Sequence, residues 1–218
     1  MTDTDLAKDD AAREAARALQ TAGITADPDT IRMLFTEART HYGWQDRDVS
    51  DDTIRALFDI AKMGPTSMNQ QPMRVVFIRS DAAKDRLEPA LFPANKPKMR
   101  TAPMTAIIAH DLNFFEELPK VFPPNPDAQD IFRNNATAAQ INAFRNGTLQ
   151  GAYFMIAARA VGLDVGGMSG FDNAKVDEEF FHGTSIKSNF LVNLGYADTS
   201  KIFRRLPRLG FDQICETL

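Results

Sequence analysis

Cysteine is almost absent from this chain of 218 residues, with Cys215 as its single occurrence. One cysteine cannot form an intramolecular disulfide, so the sequence favours a reducing compartment, and we predict a cytoplasmic protein. Because no histidine or asparagine motif surrounds Cys215, we interpret it as an inert packed thiol rather than a nucleophile.

Long hydrophobic runs and blocks of positive charge are also missing. The sequence has no run of about 18 apolar residues and no charged leader before an apolar stretch, which argues against a membrane span and a secretory signal. The formal net charge is −4 and lysine and arginine do not cluster in a block, which argues against nucleic acid as a partner. A small molecule is the expected partner.

Several catalytic motifs are absent as well. The chain contains neither a Walker-type phosphate loop nor a Gly-x-Ser-x-Gly elbow, and His41, His110 and His182 lack metal-ligand spacing. Kinase, hydrolase and metalloenzyme functions are therefore unsupported, and no metal site is predicted.

Apolar residues are plentiful, at 44% of the chain, which is enough for a sizeable core. Residues 1–26 are rich in Ala, Asp, Arg and Glu and are predicted to be a polar appendage, helical or frayed. Residues 27–218 are predicted to form one domain. Apolar runs predict core strands over residues 75–78, 104–109 and 190–194. Helix N-caps are predicted at Asp27, Ser50, Ser80 and Asp172.

The stretch Gly64–Pro72, Gly-Pro-Thr-Ser-Met-Asn-Gln-Gln-Pro, lies between a predicted helix and the first strand. Its amides and hydroxyls offer donors and acceptors on a connection stiffened by two prolines, which is typical of a ligand-binding loop. The alternative is a polar turn that satisfies its own backbone.

The longest helical pattern runs from about Ala136 to Val161. Ala143, Gly147 and Gly151 recur every four residues, a stripe that lets another backbone approach closely, and we predict that this helix lies at the centre of a dimer interface. Before it, residues 113–135 combine prolines with phenylalanines. This segment is interpreted as an irregular excursion that covers the partner subunit or the mouth of a site.

Glycines recur from Gly162 to Gly170, but they follow a helix and so do not fit a dinucleotide fingerprint. We expect them to expose main-chain N–H groups to a flat ligand. Two cationic segments, Arg39–His41 and Lys201–Arg205, could hold an anionic tail, although a basic run is usually only a solvated face. A flat head with an anionic tail describes flavin mononucleotide (FMN).

The order of four motifs resembles the FMN-dependent nitroreductase family over roughly residues 28–218. The motifs are Ala-Arg-Thr-His, Gly-Pro-Thr-Ser-Met-Asn-Gln-Gln-Pro, Met-Ser-Gly-Phe-Asp and Arg-Arg-Leu-Pro-Arg. Within that family, stretches such as Thr-His-Tyr-Gly-Trp and Leu-Val-Asn-Leu-Gly-Tyr resemble the malonic semialdehyde reductases of the Rut pathway of pyrimidine degradation.

The resemblance implies an α+β fold, in which helices flank a central, mainly antiparallel sheet, and an intertwined homodimer with FMN at the subunit interface. It also implies twelve cofactor-binding residues: Arg39, Thr40, His41, Pro65, Ser67, Asn69, Gln71, Met168, Ser169, Gly170, Lys201 and Arg205. The first three and the last two are expected at the phosphate and ribityl chain, and the 65–71 group is expected to come from the other subunit. The remaining three are expected to border the flavin ring.

Three positions depart from the family pattern. Many members have a basic residue at the position of Gly43, an aromatic residue at Met73 and a glutamate at Ser169. The smaller and less acidic ring-side residue would suit an anionic substrate.

The implied activity is that of an oxidoreductase in which NADH or NADPH and then an acceptor use the same ring face in turn. The expected acceptor is malonic semialdehyde, reduced to 3-hydroxypropionate, with Arg145 as the candidate for its carboxylate. Arg145 could equally be an ordinary interface or salt-bridge arginine. Two alternatives stay open: a broad nitro or quinone reductase, and a flavin-binding protein without turnover.

Overall fold

The computed structural model describes residues 3–218, with side chains from residue 8 onward. The chain divides into two compact units, residues 1–38 and residues 39–218. The boundary predicted after residue 26, between a polar appendage and a single FMN-binding domain, stays a prediction.

The first unit is helical. Helix α1 spans Asp3–Ala22 and α2 spans Pro28–Ile31, which continues as a π-helical turn over Arg32–Thr36. The N-cap predicted at Asp27 is confirmed, because its carboxylate accepts a hydrogen bond of 2.9 Å from the N–H of Thr30. Residues 1 and 2 of the predicted appendage lie outside the described residues.

The second unit contains an antiparallel sheet flanked by helices, so the predicted α+β class is confirmed. The sheet has four strands in the part of the chain that the structure describes, in the order β1, β2, β4, β3. The strands are β1 (Met73–Ile78), β2 (Met104–Asp111), β3 (Asp164–Met168) and β4 (Ile186–Gly195). The helices are α3 (Asp51–Ala61), α4 (Asp81–Leu87), α5 (Lys96–Thr101), α6 (Leu118–Val121), α7 (Gln129–Arg133), α8 (Ala136–Ala160), α9 (Asn173–Phe181) and α10 (Phe211–Ile214). None of the described helices has the length and apolarity needed to cross a bilayer.

Strand β2 shows how the sheet separates two cores. Alternate residues of a strand face opposite sides of the sheet. Met104, Ala106 and Ile108 pack into one apolar cluster, which includes Leu57 of α3 and Phe154 of α8. Ile107 and Ala109 pack into a second cluster with residues of α4 and α9. The sheet is therefore covered on both faces.

The small-residue stripe of α8 packs differently from the prediction. A Cβ atom added at Gly147 would lie 2.9 Å from Cβ of His110, and one at Gly151 would lie 2.5 Å from the ring of Phe190. The glycines therefore allow α8 to approach the sheet of its own chain rather than a partner. The opposite face of the helix is exposed and is largely apolar.

The glycine-rich segment contains a strand that the sequence did not predict. Asp164–Met168 forms β3 at the edge of the sheet, antiparallel to β4. Gly166 and Gly167 hide it from pattern analysis, because glycine has low strand propensity and no side chain to show alternation.

Residues 113–135 were predicted to be irregular, and this prediction was wrong. The segment forms short helical turns, with proline in the first positions of Leu118–Val121 and of Pro126–Ala128, where a missing N–H costs no helical hydrogen bond. Its phenylalanines form a third apolar cluster: Phe114, Phe115, Leu118, Ala128 and Phe132, together with Ala139 and Ala143 of α8.

The C-terminal segment follows β4 and is exposed from residue 203 to residue 218. Phe203, Leu206, Leu209 and Phe211 all belong to this exposed stretch. Cys215 is exposed too, so the expectation that its thiol is packed was wrong.

Candidate functional site

The predicted cationic segment Arg39–His41 lies against the glycine-rich strand. Thr40 forms a parallel bridge with Val165, and the N–H of His41 donates a hydrogen bond of 3.0 Å to the carbonyl oxygen of Val165. A Cβ atom added at Gly166 would lie 2.6 Å from the carbonyl oxygen of His41, so only glycine admits the segment here. Two segments that were predicted separately are therefore adjacent.

The imidazole of His41 is buried and lies 3.2 Å from Asp164, measured from Nε2 to Oδ1. The other oxygen of Asp164 accepts a hydrogen bond of 2.8 Å from the N–H of Ala197. Burial raises the pKa of Asp164, but the bonds from His41 and Ala197 and the positive charge of Arg159 outweigh burial and hold the pKa below its ordinary value. Nδ1 of His41 is buried and has no hydrogen-bond partner among the described residues.

Replacing Asp164 with asparagine is expected to destabilise the protein by about 1 kcal/mol at pH 7, a small effect because the carboxylate is partly exposed and screened. A carboxyl whose folded pKa is lowered stabilises the fold above its ordinary pKa of 3.8, and this stabilisation is lost as the pH falls through the folded value. The difference between the two proteins should therefore shrink below about pH 4. Urea unfolding at pH 7 and pH 3.5 measures it, and a pH-independent difference would contradict the assignment.

Arg39 and Lys98 border one aromatic pair. The guanidinium of Arg39 donates a hydrogen bond to the carbonyl oxygen of Phe203. The ring of Phe203 meets the ring of Tyr42 edge to face, with 5.3 Å between centroids, and Nζ of Lys98 lies 4.7 Å from the centre of the Tyr42 ring. Two cations thus lie on one small surface.

Lys201 adds a third cation. Its side chain crosses Gly43, where a Cβ atom would lie 2.6 Å from Cγ of Lys201. The absence of a side chain at Gly43 therefore leaves room for the lysine. Lys201 lines a pocket of about 460 Å³, whose walls include Tyr42, Gly43, Trp44, Pro97, Thr101, Asp198, Ser200 and Phe203. Arg205 is exposed four residues further along the chain.

Strand β3 ends at Met168 and is followed by Ser169 and Gly170. Met168 is buried and Ser169 is exposed. The N–H groups of Ser169 and Gly170 have no acceptor among the described residues. Adjacent unpaired N–H groups on an exposed backbone are suited to a ligand with hydrogen-bond acceptors.

Asn95 and Lys98 link the backbone at the end of β3 to the surface around Tyr42. The sequence analysis did not predict either residue. The carbonyl oxygen of Gly170 accepts hydrogen bonds of 3.0 Å from the N–H of Phe92 and from Nδ2 of Asn95. Nζ of Lys98 donates a bond of 3.0 Å to Oδ1 of Asn95. The only sign in the sequence was the short basic stretch Lys-Pro-Lys-Met-Arg between two predicted strands.

The predicted loop residues Pro65, Ser67, Asn69 and Gln71 form a second group. Met68, Asn69 and Gln71 have positive φ angles of 51°, 52° and 45°. Such backbone conformations cost residues other than glycine on the order of 1–3 kcal/mol each and are frequent at ligand sites.

Segment 113–135 packs against this loop. Nδ2 of Asn69 donates a hydrogen bond of 2.8 Å to the carbonyl oxygen of Val121. Met68 packs against the cluster that contains Phe114 and Phe115. The segment therefore supports the loop, and the expectation that it covers a partner subunit or the mouth of a site stays a prediction.

Within one chain the predicted residues thus form two groups, one around β3 and one in the loop beside α8. Arg145 belongs to neither group and is exposed on the outer face of α8. Cations, unpaired N–H groups and an amide-rich loop fit a ligand with an anionic tail and a flat head that carries hydrogen-bond acceptors.

The model of the nitroreductase family matches residues 36–196. The chain belongs to the nitroreductase family.

Several solved structures have the same fold, and the match with this chain spans nearly the whole length of each of them. One, described as a nitroreductase in complex with FMN from Exiguobacterium sibiricum, has a TM-score of 0.79 and 18% identity, over 89% of this chain and 99% of that one. An NAD(P)H:FMN oxidoreductase from Staphylococcus epidermidis has a TM-score of 0.75 and 17% identity, over 89% and 98%. A gut-bacterial enone reductase of fatty acid saturation also has a TM-score of 0.75 and 17% identity, over 89% and 100%.

Proposed function

We propose that this protein binds FMN and acts as an NADH- or NADPH-dependent oxidoreductase. The observation that carries this function is the gathering of Arg39, Lys98 and Lys201 around Tyr42 and Phe203. Lys98 is linked through Asn95 to the backbone of Gly170, next to the unpaired N–H groups that follow β3. Family membership supports it, as do the FMN complex of the Exiguobacterium protein and the activity named for the Staphylococcus protein.

When bound, FMN accepts a hydride from a reduced nicotinamide and passes it to an acceptor. The residues of this chain bind and orient it. Arg39 and Lys201 supply the positive charge for the phosphate, and Thr40 lies beside them. The N–H groups of Ser169 and Gly170 would donate hydrogen bonds to the ring, and Asn95 holds the backbone of Gly170 through its carbonyl oxygen.

We also propose that the protein is an intertwined homodimer in which the 65–71 loop of one subunit completes the site of the other. The outer face of α8 supports this assembly, since Ile141, Phe144, Leu149 and Tyr153 are between 42% and 53% exposed. An apolar face of this kind on a central helix is typical of an interface. The exposed apolar C-terminal segment supports it too.

For the acceptor we propose malonic semialdehyde, reduced to 3-hydroxypropionate in pyrimidine degradation in the cytoplasm. The support is the sequence resemblance to that subgroup and the small, neutral Ser169 at the ring side, which would not repel a carboxylate. Arg145 remains the proposed partner of the carboxylate. It lies on the outer face of α8, which is the face proposed for the dimer interface.

The visible spectrum of the purified protein under anaerobic conditions tests the function. NADPH is expected to bleach the flavin bands, and malonic semialdehyde, added after the NADPH is consumed, is expected to restore them. Bleaching without recovery would reject this acceptor and favour nitro compounds or quinones. Bound flavin that neither NADH nor NADPH bleaches would indicate a binding protein without turnover, and a protein that stays colourless when FMN is added would reject the proposal.

A further inference from the structure

The 65–71 loop contains no glycine, yet three of its residues have left-handed backbone angles. Residues with a Cβ atom do not adopt this conformation by default, so contacts from outside the loop must hold it. Inside the loop, the N–H of Asn69 bonds to the carbonyl oxygen of Thr66, and the N–H of Gln70 bonds to that of Ser67, at 3.0 Å each. These bonds close a turn but do not fix its position on the domain.

Two attachments fix that position: the bond from Asn69 to Val121, and the buried side chain of Asn146 on α8. Its Oδ1 accepts a hydrogen bond of 2.8 Å from the N–H of Ser67, and its Nδ2 donates a bond of 3.0 Å to Oε1 of Gln70. One amide therefore contacts both ends of the turn that contains Met68 and Asn69. Asn146 and Gln70 are only 2% and 1% exposed, so water does not replace either bond.

The amide of Asn146 accepts through its oxygen and donates through its nitrogen at the same time. Nδ2 of Asn146 also bonds to the carbonyl oxygen of Asn142, one turn earlier, at 2.9 Å, which fixes the orientation of the amide. The acceptor therefore faces the backbone of Ser67 and the donor faces Gln70.

We propose that Asn146 is a positioning residue for FMN binding: it holds Ser67 and Asn69 in the conformation that meets the cofactor. This inference rests on the proposed function. Asn146 acts through the loop and does not touch the reacting atoms. Its role is to order the loop before the ligand arrives, which lowers the entropy cost of binding.

Asn146→Asp tests the proposal, because a carboxylate keeps the acceptor for Ser67 but loses the donor and repels Oε1 of Gln70. The matched control is Gln150→Glu, one turn further along α8. Gln150 is also buried, at 4% exposure, but its Oε1 accepts the N–H of Met73 at the start of β1 and not a loop group. Both substitutions bury an acid in place of an amide, so both should lower the melting temperature of the apoprotein.

The dissociation constant for FMN, measured by fluorescence quenching, is expected to rise at least about tenfold in Asn146→Asp and to stay within about twofold in Gln150→Glu. Hydrogen exchange of the Asn69 and Gln70 amides, whose bonds close the turn, should accelerate in the apoprotein only in the first variant. Gln70→Met, which removes the partner of Asn146 and leaves α8 intact, serves if Asn146→Asp does not fold, and should also raise the dissociation constant.

The outcomes separate the two proposals. Wild-type protein that does not bind FMN rejects the proposed function and this inference with it. Wild-type protein that binds FMN, together with an unchanged affinity in Asn146→Asp or an equal loss in Gln150→Glu, rejects the inference alone.

Discussion

Replacing Lys201 with alanine is expected to weaken FMN binding by about ten- to hundredfold. A hydrogen bond between an ammonium and a phosphate contributes roughly 1.5–3 kcal/mol, and 1.4 kcal/mol is a factor of ten in affinity. The lysine side chain is already seated over Gly43 at the edge of the pocket, so little side-chain order has to be gained on binding. Titration of apoprotein with FMN, followed by fluorescence, measures the loss.

Arg208→Ala is the matched control for Lys201→Ala. Arg208 belongs to the same basic segment, but its guanidinium donates to the carbonyl oxygens of Leu206 and Pro207. Its removal should change FMN affinity by less than about twofold, since a solvated charge this far from the site is screened. The affinity of Lys201→Ala should also depend less on salt than that of the wild type. Equal affinities of Lys201→Ala and wild type would contradict the assignment of Lys201 to the phosphate.

The strands show what local pattern can predict. Residues 75–78, 104–109 and 190–194 were predicted as strands from runs of branched and aromatic residues, and all three lie within observed strands. β3 escaped detection because Gly166 and Gly167 carry no side chain, and its position is set by pairing with β4 and by the close approach of His41. That approach joins positions more than a hundred residues apart, which no local pattern contains.

The candidate site likewise has features that the sequence predicted and features that it could not predict. The loop Gly64–Pro72 was recognisable by composition, because polar residues between two breakers predict a turn with free donors and acceptors. Its left-handed backbone was not predictable, since the residues there are not glycine and the contact that holds them comes from Asn146. The role of Asn95 was hidden for the same reason, because its partner is the carbonyl oxygen of Gly170.

The prediction from the small-residue stripe of α8 was correct only in part. Spacing of four correctly indicated a close approach, but spacing alone does not say what approaches, and the structure gives the stripe to the sheet of the same chain. The argument for a dimer therefore moves to the opposite face of the helix. There Ile141, Phe144, Leu149 and Tyr153 are between 42% and 53% exposed, as is typical of an apolar face that a partner covers.

Replacing Leu149 with aspartate is expected to convert a dimer into a monomer and to abolish tight FMN binding at the same time. A two-fold axis places every interface residue twice, so one substitution buries two carboxylates, each costing several kcal/mol without a partner. Leu149 is 47% exposed within one chain, so the folded monomer should tolerate the change. Sedimentation at micromolar concentration should show twice the mass of the chain for the wild type and a single chain for the variant.

The control for Leu149→Asp is Ile24→Asp, which places the same charge on a residue that is 74% exposed and lies outside the predicted domain. This variant should remain dimeric and should bind FMN like the wild type. FMN binding is expected to fall with dimerisation because the loop with Ser67 and Asn69 and the cations Arg39 and Lys201 would then no longer come together from two subunits. A wild-type protein that sediments as a monomer, or a monomeric Leu149→Asp variant that binds FMN with wild-type affinity, would show that one chain holds the cofactor without its copy.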